Sequence, residues 1–131
     1  MTETGFVPQA RYMMRALELA AQAAAMGEVP VGAVVVQKST GRIIGEGYNR
    51  READRSPLAH AEIMAIDAAS RTLGGWRLLD SALYVTLEPC PMCAGAILHA
   101  RLEQVVYGTA DPKGGAVDSV EQLFTLPYNW T

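Results

Sequence analysis

The sequence predicts an α/β protein, a three-layer α/β/α sandwich with helices on both faces of a mixed central sheet. Three observations support this fold class. Helical and strand patterns alternate along 131 residues without a repeat or an internal linker. Two strand patterns meet at the turn Ser39-Thr40-Gly41, which indicates an antiparallel hairpin. Further along, a strand, a helix and a strand follow one another, which indicates a crossover between parallel strands.

The first element is a helix, predicted over Pro8–Met26 and ended by Gly27. Apolar residues recur in this segment at helical spacing, which indicates one buried face. The side chains that we expect on that face are Met14, Leu17 and Ala21, beside Tyr12 and Leu19.

The next two elements form the predicted hairpin. Val31–Gln37 is a continuous run of mostly β-branched residues, which is typical of a strand buried on both faces. Arg42–Tyr48 returns as its partner after the turn. Asn49–Leu58 is polar and contains Pro57, so a loop is expected there.

The second half of the chain adds two helices and two strands. The predicted order is a helix over His60–Leu73 ended by Gly74-Gly75, a strand over Ala82–Leu87, a helix over Pro91–Ala100 and a strand over Gln104–Gly108. Pro89 ends the strand before it, and Pro91 suits the first turn of the helix that follows. Asp111–Gly115 is expected to be a loop, and a short helical stretch is predicted around Ser119–Phe124.

Composition indicates an ordinary globular protein. Half of the residues are hydrophobic and 19% are charged, so we expect residues 1–131 to form one domain. The net charge of −3 is not that of a typical nucleic-acid-binding domain, which is usually basic. Arg50, Arg51 and Arg55 nevertheless cluster in one segment. A solvated loop and a contact with phosphate are both open interpretations of that cluster.

The cysteines and the hydropathy of the chain indicate the cellular compartment of the protein. The two cysteines lie in one C-x-x-C, which excludes a disulfide framework. The apolar stretch near the N-terminus is interrupted by Arg15, Glu18 and Gln22, and no run is long enough to span a membrane. We therefore expect a cytoplasmic protein without a membrane partner.

Two short motifs carry the chemistry, His60-Ala61-Glu62 and Pro89-Cys90-Pro91-Met92-Cys93. His60, Cys90 and Cys93 are three ligands of the zinc type, and three protein ligands leave the fourth tetrahedral position open for water, as in catalytic sites. Glu62 can move protons to and from that water. This combination resembles the H-x-E and P-C-x-x-C pattern of the zinc nucleobase deaminases.

The predicted helices explain how residues this close in sequence can converge. Residues i and i+2 do not share a face in the middle of a helix. His60 and Glu62 can converge if the metal lies off a helix N-terminus, and Cys90 and Cys93 meet the same condition. Two helix N-termini would then face each other across the metal, and their positive ends would favour thiolates.

Two other interpretations of the cysteines remain open from the residues alone. A C-x-x-C pair can be a redox site, although that would leave His60-Ala61-Glu62 unexplained. A closed structural zinc site would need a fourth ligand. His99 is the only other histidine or cysteine, and it lies six residues past Cys93 on the same predicted helix, about 9 Å away along the axis. We therefore interpret His99 as a packing or interface residue.

The chain also resembles the bacterial tRNA-specific adenosine deaminases, within the cytidine/deoxycytidylate deaminase family, along nearly its whole length. The resemblance rests on Glu28–Val34, His60–Ile63, Tyr84–Ala96 and Gly108–Ser119. It implies hydrolytic deamination of the wobble adenosine in a tRNA anticodon loop to inosine, with the anticodon stem-loop as partner. It also implies a cytidine-deaminase-like fold and a homodimer whose RNA site draws on both subunits.

The resemblance assigns roles to individual residues. It implies that His60, Cys90 and Cys93 bind Zn²⁺ and that Glu62 carries the proton. Asn49, in Tyr48-Asn49-Arg50, matches the base-contacting residue, and Ala61 is expected to contact the substrate. Asp111 and Lys113 match the loop near the bound RNA. The helix of Pro91–Ala100 offers small residues to a second subunit, namely Ala94, Gly95, Ala96 and Ala100.

One departure from the family and one alternative function accompany the resemblance. Family members continue past the position of Asn129 into another strand and a C-terminal helix, whereas this sequence ends at Thr131. It is either a truncated form or a protein that naturally lacks these elements, and we expect a fold without them. Guanine and cytosine deaminases share the histidine, glutamate and cysteine pattern. Deamination of a free nucleobase is therefore the alternative function. A riboflavin-pathway deaminase is less compatible, because the spacing between its two cysteines is longer than the one here.

Overall fold

The structure of the protein is a computed structural model, and it describes residues 5–118 and residue 124. The elements along the chain are α1 (Ala10–Ala25), β1 (Gly32–Gln37), β2 (Arg42–Tyr48), α2 (Ala61–Leu73), β3 (Ser81–Leu87), α3 (Pro91–His99) and β4 (Gln104–Thr109). All seven predicted elements are present, with ends that differ by no more than two residues. The helical stretch predicted around Ser119–Phe124 lies, except for Phe124, outside the described residues.

Four strands form one sheet over the described residues, in the order β2-β1-β3-β4. β1 pairs antiparallel with β2, from Gly32 opposite Tyr48 to Gln37 opposite Arg42. β1 is also antiparallel to β3, whereas β3 and β4 are parallel and joined through α3. The sheet is therefore mixed, as the hairpin and the crossover pattern predict.

Helices cover both faces of this sheet. Val34 and Val36 of β1 pack with Tyr12 and Leu19 of α1 on one face. On the other face, residues of the strands pack with α2 and α3; they include Ala33, Val35 and Leu83, with Ala61, Ala65, Ala69 and Ile97 from the helices. Successive strand residues point to opposite faces, so β1 contributes to both layers of the core. The three-layer α/β sandwich is confirmed.

The predicted buried face of α1 is confirmed for Tyr12 and Leu19 and is wrong for three other residues. Met14 is 65% exposed and Leu17 is 54% exposed, and Ala21 is exposed as well. The other residues that α1 buries are Ala16, Ala20 and Ala23. The reason is steric: a Cβ at Gly32 of β1 would collide with the backbone of Ala16 and Ala20, so the helix lies directly on the strand. Only small side chains fit at such a contact.

The opposite face shows the same close approach at α2. A Cβ at Gly47 of β2 would collide with the carbonyl oxygen of Ala61, in the first turn of α2. Ala61, Ala65 and Ala69 are fully buried along this contact. The N-terminus of α2 is therefore held against the sheet at a distance that the missing Cβ permits.

Among the described residues, no helix is both long and apolar enough to cross a lipid bilayer.

Candidate metal centre and catalytic cavity

The three predicted metal ligands lie at the N-termini of two helices. His60 is the N-cap of α2, Cys90 is the N-cap of α3, and both have extended backbone conformations. Cys93 lies in the first turn of α3, after Pro91 at its start. Because N-cap side chains reach past the end of a helix, the two helix N-termini bring their ligands together.

The distances between the ligand atoms fit zinc. Nδ1 of His60 lies 3.7 Å from Sγ of Cys90 and 3.6 Å from Sγ of Cys93, and all three atoms are within 4.8 Å of one another. A tetrahedral centre with Zn–N of roughly 2.0 Å and Zn–S of roughly 2.3 Å requires a nitrogen–sulfur distance of roughly 3.6 Å. The donors are therefore spaced for zinc.

The set of donors also leaves one position free. Within the described residues, the group that could hold a metal consists of His60, Cys90 and Cys93. His99, at the other end of α3, does not belong to it. A structural zinc site normally has four protein ligands, whereas three ligands are typical of a catalytic one.

The surroundings of the two cysteine sulfurs favour a thiolate at Cys90 and a thiol at Cys93. The pKa of Cys90 is lowered to about 5, chiefly by a hydrogen bond from the Cys93 thiol, with help from backbone groups of Cys93 and Met92. The pKa of Cys93 is raised well above its usual value, because its proton is held in that hydrogen bond and because the group is buried. The pair therefore favours ionisation at Cys90, and a divalent cation would displace the proton that Cys93 retains.

Glu62 lies beside these ligands in the first turn of α2. It is only 4% exposed, and burial raises the pKa of its carboxyl group from 4.5 to about 7. A hydrogen bond between this carboxyl group and Cys93 lowers the same pKa, but by less than burial raises it. A carboxyl group with a pKa near the working pH can both take up and release a proton, which is what general acid–base catalysis requires.

A cavity of about 140 Å³ opens beside the three ligands. Its lining comprises Val29, Val31, Asn49, Arg51, His60, Ala61, Glu62, Leu87, Glu88, Cys90 and Asp111. This volume is well below the roughly 300–1,000 Å³ of sites for drug-sized ligands. The apolar side chains of the lining and the polar groups between them suit one small ring system next to the metal position.

Two loops complete the cavity, and the first follows β2. Asn49 is buried, and its side-chain oxygen accepts a hydrogen bond from the backbone N–H of Arg51. The buried carboxylate of Glu28 accepts hydrogen bonds from the N–H groups of Glu52 and Ala53. Asn49 therefore caps this loop and also lines the cavity.

The arginines of this loop differ in their surroundings. Arg50 donates to Asp54 and to the Tyr48 hydroxyl group, so it is held within the loop. Arg51 is exposed and lines the cavity, and Arg55 is exposed at the surface. Of the cluster, Arg51 is thus the residue placed to meet a ligand.

The second loop follows β4. Asp111 lines the cavity, and its carboxylate accepts hydrogen bonds from the backbone N–H groups of Lys113 and Gly114. Lys113 is exposed on this loop and is not among the residues that line the cavity. Of the predicted substrate-contacting residues, the structure brings Asn49, Ala61 and Asp111 to the cavity and leaves Lys113 outside it.

Sequence reasoning missed four residues of the lining, which are Val29, Val31, Leu87 and Glu88. The sequence pattern indicates only strand positions for Val31 and Leu87, and a loop position for Val29. Glu88 precedes Pro89-Cys90, so its place next to a ligand is the one signal in the sequence that points to a role in the site.

Comparisons with known proteins agree with this chemistry. Residues 7–109 match the family model of the cytidine and deoxycytidylate deaminase zinc-binding region. The chain is 50% identical over 112 residues to the tRNA-specific adenosine deaminase of Bacillus subtilis, covering 86% of this chain and 68% of that protein. It is 55% identical over 113 residues to the enzyme of the same name from Haemophilus influenzae, covering 86% and 65%. The chain thus spans about two thirds of the length of these relatives.

Solved structures are similar as well. One comes from a study of A-to-I editing by tRNA:A34 deaminases at the wobble position of transfer RNA; it has a TM-score of 0.86 and 47% identity and covers 90% of this chain and 89% of that one. A guanine deaminase from Bacillus subtilis has a TM-score of 0.74 and 33% identity, covering 94% and 85%. The shared architecture thus occurs in enzymes that act on tRNA and in one that acts on guanine.

Proposed function

Because the chain belongs to the cytidine and deoxycytidylate deaminase family, we propose that it is a zinc-dependent hydrolase that converts the wobble adenosine of a tRNA anticodon loop to inosine. The observation that carries the proposal is the identity of 50% and 55% to two tRNA-specific adenosine deaminases over 86% of the chain. The site supports it, since its donor atoms are spaced for zinc and a buried carboxyl group lies beside them.

The reaction replaces the amino group of the base by oxygen. Water adds to the ring carbon that bears the amino group, the carbon–nitrogen bond breaks, and ammonia leaves. Zinc held by His60, Cys90 and Cys93 would lower the pKa of water to about 7 and so supply a nucleophile at neutral pH. Glu62 takes one proton from the attacking water and delivers it to the ring nitrogen, and then moves the proton of the added hydroxyl group to the departing amino group.

The size of the cavity limits how a base can enter. With about 140 Å³ available, there is room for one base and not for a stacked pair. Val29, Val31 and Leu87 would contact the faces of the ring, and Asn49 would form hydrogen bonds at its edge. An adenosine must therefore be unpaired and turned out of its stack before it reaches the metal position.

Two exposed basic side chains, one lining the cavity and one outside it, are suited to the RNA backbone. Arg51 lines the cavity and is exposed. Lys113 is exposed on the loop after β4, outside the cavity lining. We assign both side chains to contacts with the phosphates on either side of the extruded nucleotide. These contacts would allow tRNA to bind although the protein has a net charge of −3.

We also propose a homodimer, formed through α3. Ala94 and Ala100 are buried inside the subunit, so they cannot make the contact that their small size suggested. The face that remains accessible is Met92, Gly95, Ala96 and His99, spaced at helical intervals. A C2 contact along this face, the commonest type of homo-oligomer, would lie close to the zinc ligands of both subunits. An enzyme acting on tRNA in this way would work in the cytoplasm.

The test compares substrates with the same purified protein. An RNA stem-loop with adenosine in its loop is incubated beside the same adenosine in a full duplex, and beside free adenosine, guanine and cytosine. We expect inosine from the loop and none from the duplex. Deamination of guanine or cytosine alone would assign the free-base alternative instead, and equal rates on loop and duplex would contradict the extruded-base mechanism.

A further inference from the structure

A buried carboxylate next to the metal ligands holds the loop that follows β4. Glu88 is 2% exposed, and its two carboxylate oxygens accept hydrogen bonds from backbone N–H groups of that loop. Oε1 accepts from Asp111 at 3.0 Å, and Oε2 accepts from Val117 at 3.1 Å and from Asp118 at 2.7 Å. Both ends of the loop are therefore bound to one side chain.

The middle of the loop lies directly over this carboxylate. A Cβ at Gly115 would collide with the carboxyl carbon and both oxygens of Glu88. The neighbouring Ala116 is fully buried, and its N–H donates to the carbonyl oxygen of Pro89 at 2.8 Å. At this position the loop has no space for any side chain, because the Glu88 carboxylate occupies it.

Further contacts complete the attachment. The hydroxyl group of Tyr107, on β4, donates to the carboxylate of Asp118 at 2.6 Å. The backbone N–H of Glu88 donates to the carbonyl oxygen of Thr109, which extends the ladder between β3 and β4 up to the loop. The loop is thus tied to the same strand-to-helix junction that presents Cys90 to the metal.

We propose that Glu88 is a positioning residue: with Gly115 it fixes the loop of residues 110–118 as one wall of the cavity, and so sets how tightly an extruded RNA nucleotide is held. The proposal rests on the proposed function for its substrate, and on the hydrogen bonds of Glu88 for its geometry. Asp111 is the loop residue that faces the cavity. When the loop loosens, Asp111 and the neighbouring Lys113 no longer meet the substrate in a fixed place.

A carboxylate suits this task better than a neutral side chain. It accepts several N–H groups at once, and hydrogen bonds to a charged acceptor are about twice as strong as neutral ones. Glutamine keeps the shape but replaces one acceptor oxygen by an NH₂ group, which would face N–H donors of the loop. Because these groups are buried, a lost acceptor leaves an unsatisfied donor.

Two variants and one matched control test the proposal. Gly115→Ala puts a methyl group against the Glu88 carboxylate, and Glu88→Gln removes an acceptor without changing the size of the side chain. The control, Gly114→Ala, adds the same methyl group one residue away, where the nearest atom would be Oδ2 of Asp111 at an ordinary 3.7 Å. Zinc content and the midpoint of thermal unfolding are measured for all three.

The first readout is amide hydrogen exchange of the segment 110–118, which does not depend on activity. We expect exchange in the Gly115→Ala and Glu88→Gln variants to be roughly tenfold faster or more than in the wild-type protein and the Gly114→Ala control, because each lost hydrogen bond frees an amide. Unchanged exchange in both variants would overturn the proposal.

The second readout is the kinetics of deamination of the RNA stem-loop. We expect KM to rise roughly tenfold or more in both variants, with a smaller change in kcat and with one zinc per chain retained. Faster exchange without a change in KM would overturn the role in substrate binding. If the wild-type protein deaminates no RNA, the proposed function fails, whereas the exchange data still decide whether Glu88 holds the loop.

Discussion

Nδ1 of His60 lies 3.6 Å from Sγ of Cys93, although the two residues are 33 positions apart in the chain. Each side chain comes from the N-terminal turn of a different helix, and both helices pack on the same face of the sheet. The metal site therefore exists only when α2 and α3 are correctly docked. Metal binding and proton transfer can nevertheless be tested separately, because the proposed metal ligands and the proposed proton carrier are different residues.

Glu62→Gln should keep the metal and abolish turnover. Glutamine has nearly the size of glutamate but cannot carry a proton between water and base, so we expect deamination to fall by roughly a hundredfold to ten-thousandfold. Elemental analysis should still find one zinc per chain. Cys93→Ala is the comparison, since it should lose zinc and activity together. Near wild-type turnover in the Glu62→Gln variant would exclude Glu62 as the proton carrier.

The raised pKa of Glu62 predicts how stability depends on pH when the metal has been removed. In the folded protein the carboxyl group keeps its proton up to about pH 7, whereas in the unfolded chain it loses the proton near pH 4.5. Between these values the folded state binds more protons, so the free energy of unfolding falls as the pH rises. Relative to Glu62→Gln, the wild-type protein should lose up to about 3 kcal/mol over this window.

Denaturant unfolding of the two metal-free proteins at several pH values between about 4 and 8 measures this difference. The difference between the proteins reports Glu62 together with its coupling to Cys90 and Cys93, whose pKa values depend on the neighbouring carboxyl group. Parallel stability profiles would show that the carboxyl group is not buried as described.

Asn49→Ala should weaken turnover without loss of zinc. The side chain both caps the loop at Arg51 and lines the cavity, so two explanations for lost activity must be distinguished. The Asn49→Asp variant can still accept the hydrogen bond from Arg51 but has no NH₂ group to donate to a base. We expect kcat/KM to fall roughly tenfold to a hundredfold in both variants. Wild-type activity in the Asn49→Asp variant would instead assign Asn49 to the loop alone.

An arginine at position 96 should separate the proposed dimer. Ala96 lies on the accessible face of α3, next to Gly95, where a Cβ would meet no atom within 4 Å. Sedimentation of Ala96→Arg at micromolar concentration should show monomers, and RNA deamination should fall with the dimer. Gly75→Arg is the control, since position 75 is equally open but lies beyond the end of α2. A fully active monomer of the unmodified chain would contradict the dimer.

The elements and the metal ligands could be predicted from sequence because both depend on local patterns. The motifs of His60 and Cys90 each lie at the start of a helix. The preceding polar loop indicates the first start, and Pro91 indicates the second. Their convergence follows once the two helices lie on one face of the sheet.

The buried face of α1 and the hydrogen bonds of Glu88 could not be predicted, for two different physical reasons. Large apolar residues are typical of a buried helix face, but contact with Gly32 selects alanines, and Met14 and Leu17 are left outside. The hydrogen bonds of Glu88 join it to residues 23 to 30 positions away in the chain. Such contacts have no periodicity that a sequence pattern could show.

The missing side chain at Gly47 has a consequence for enzyme engineering. A Cβ at this position would meet the carbonyl oxygen of Ala61, the residue between the ligand His60 and Glu62. Any larger residue at position 47 would push the start of α2 outward and carry both functional groups with it. A strand residue that contacts neither metal nor substrate thus sets how far His60 and Glu62 lie from the sheet. Libraries aimed at new substrates should leave position 47 unchanged and vary the cavity walls at Val29 and Leu87 instead.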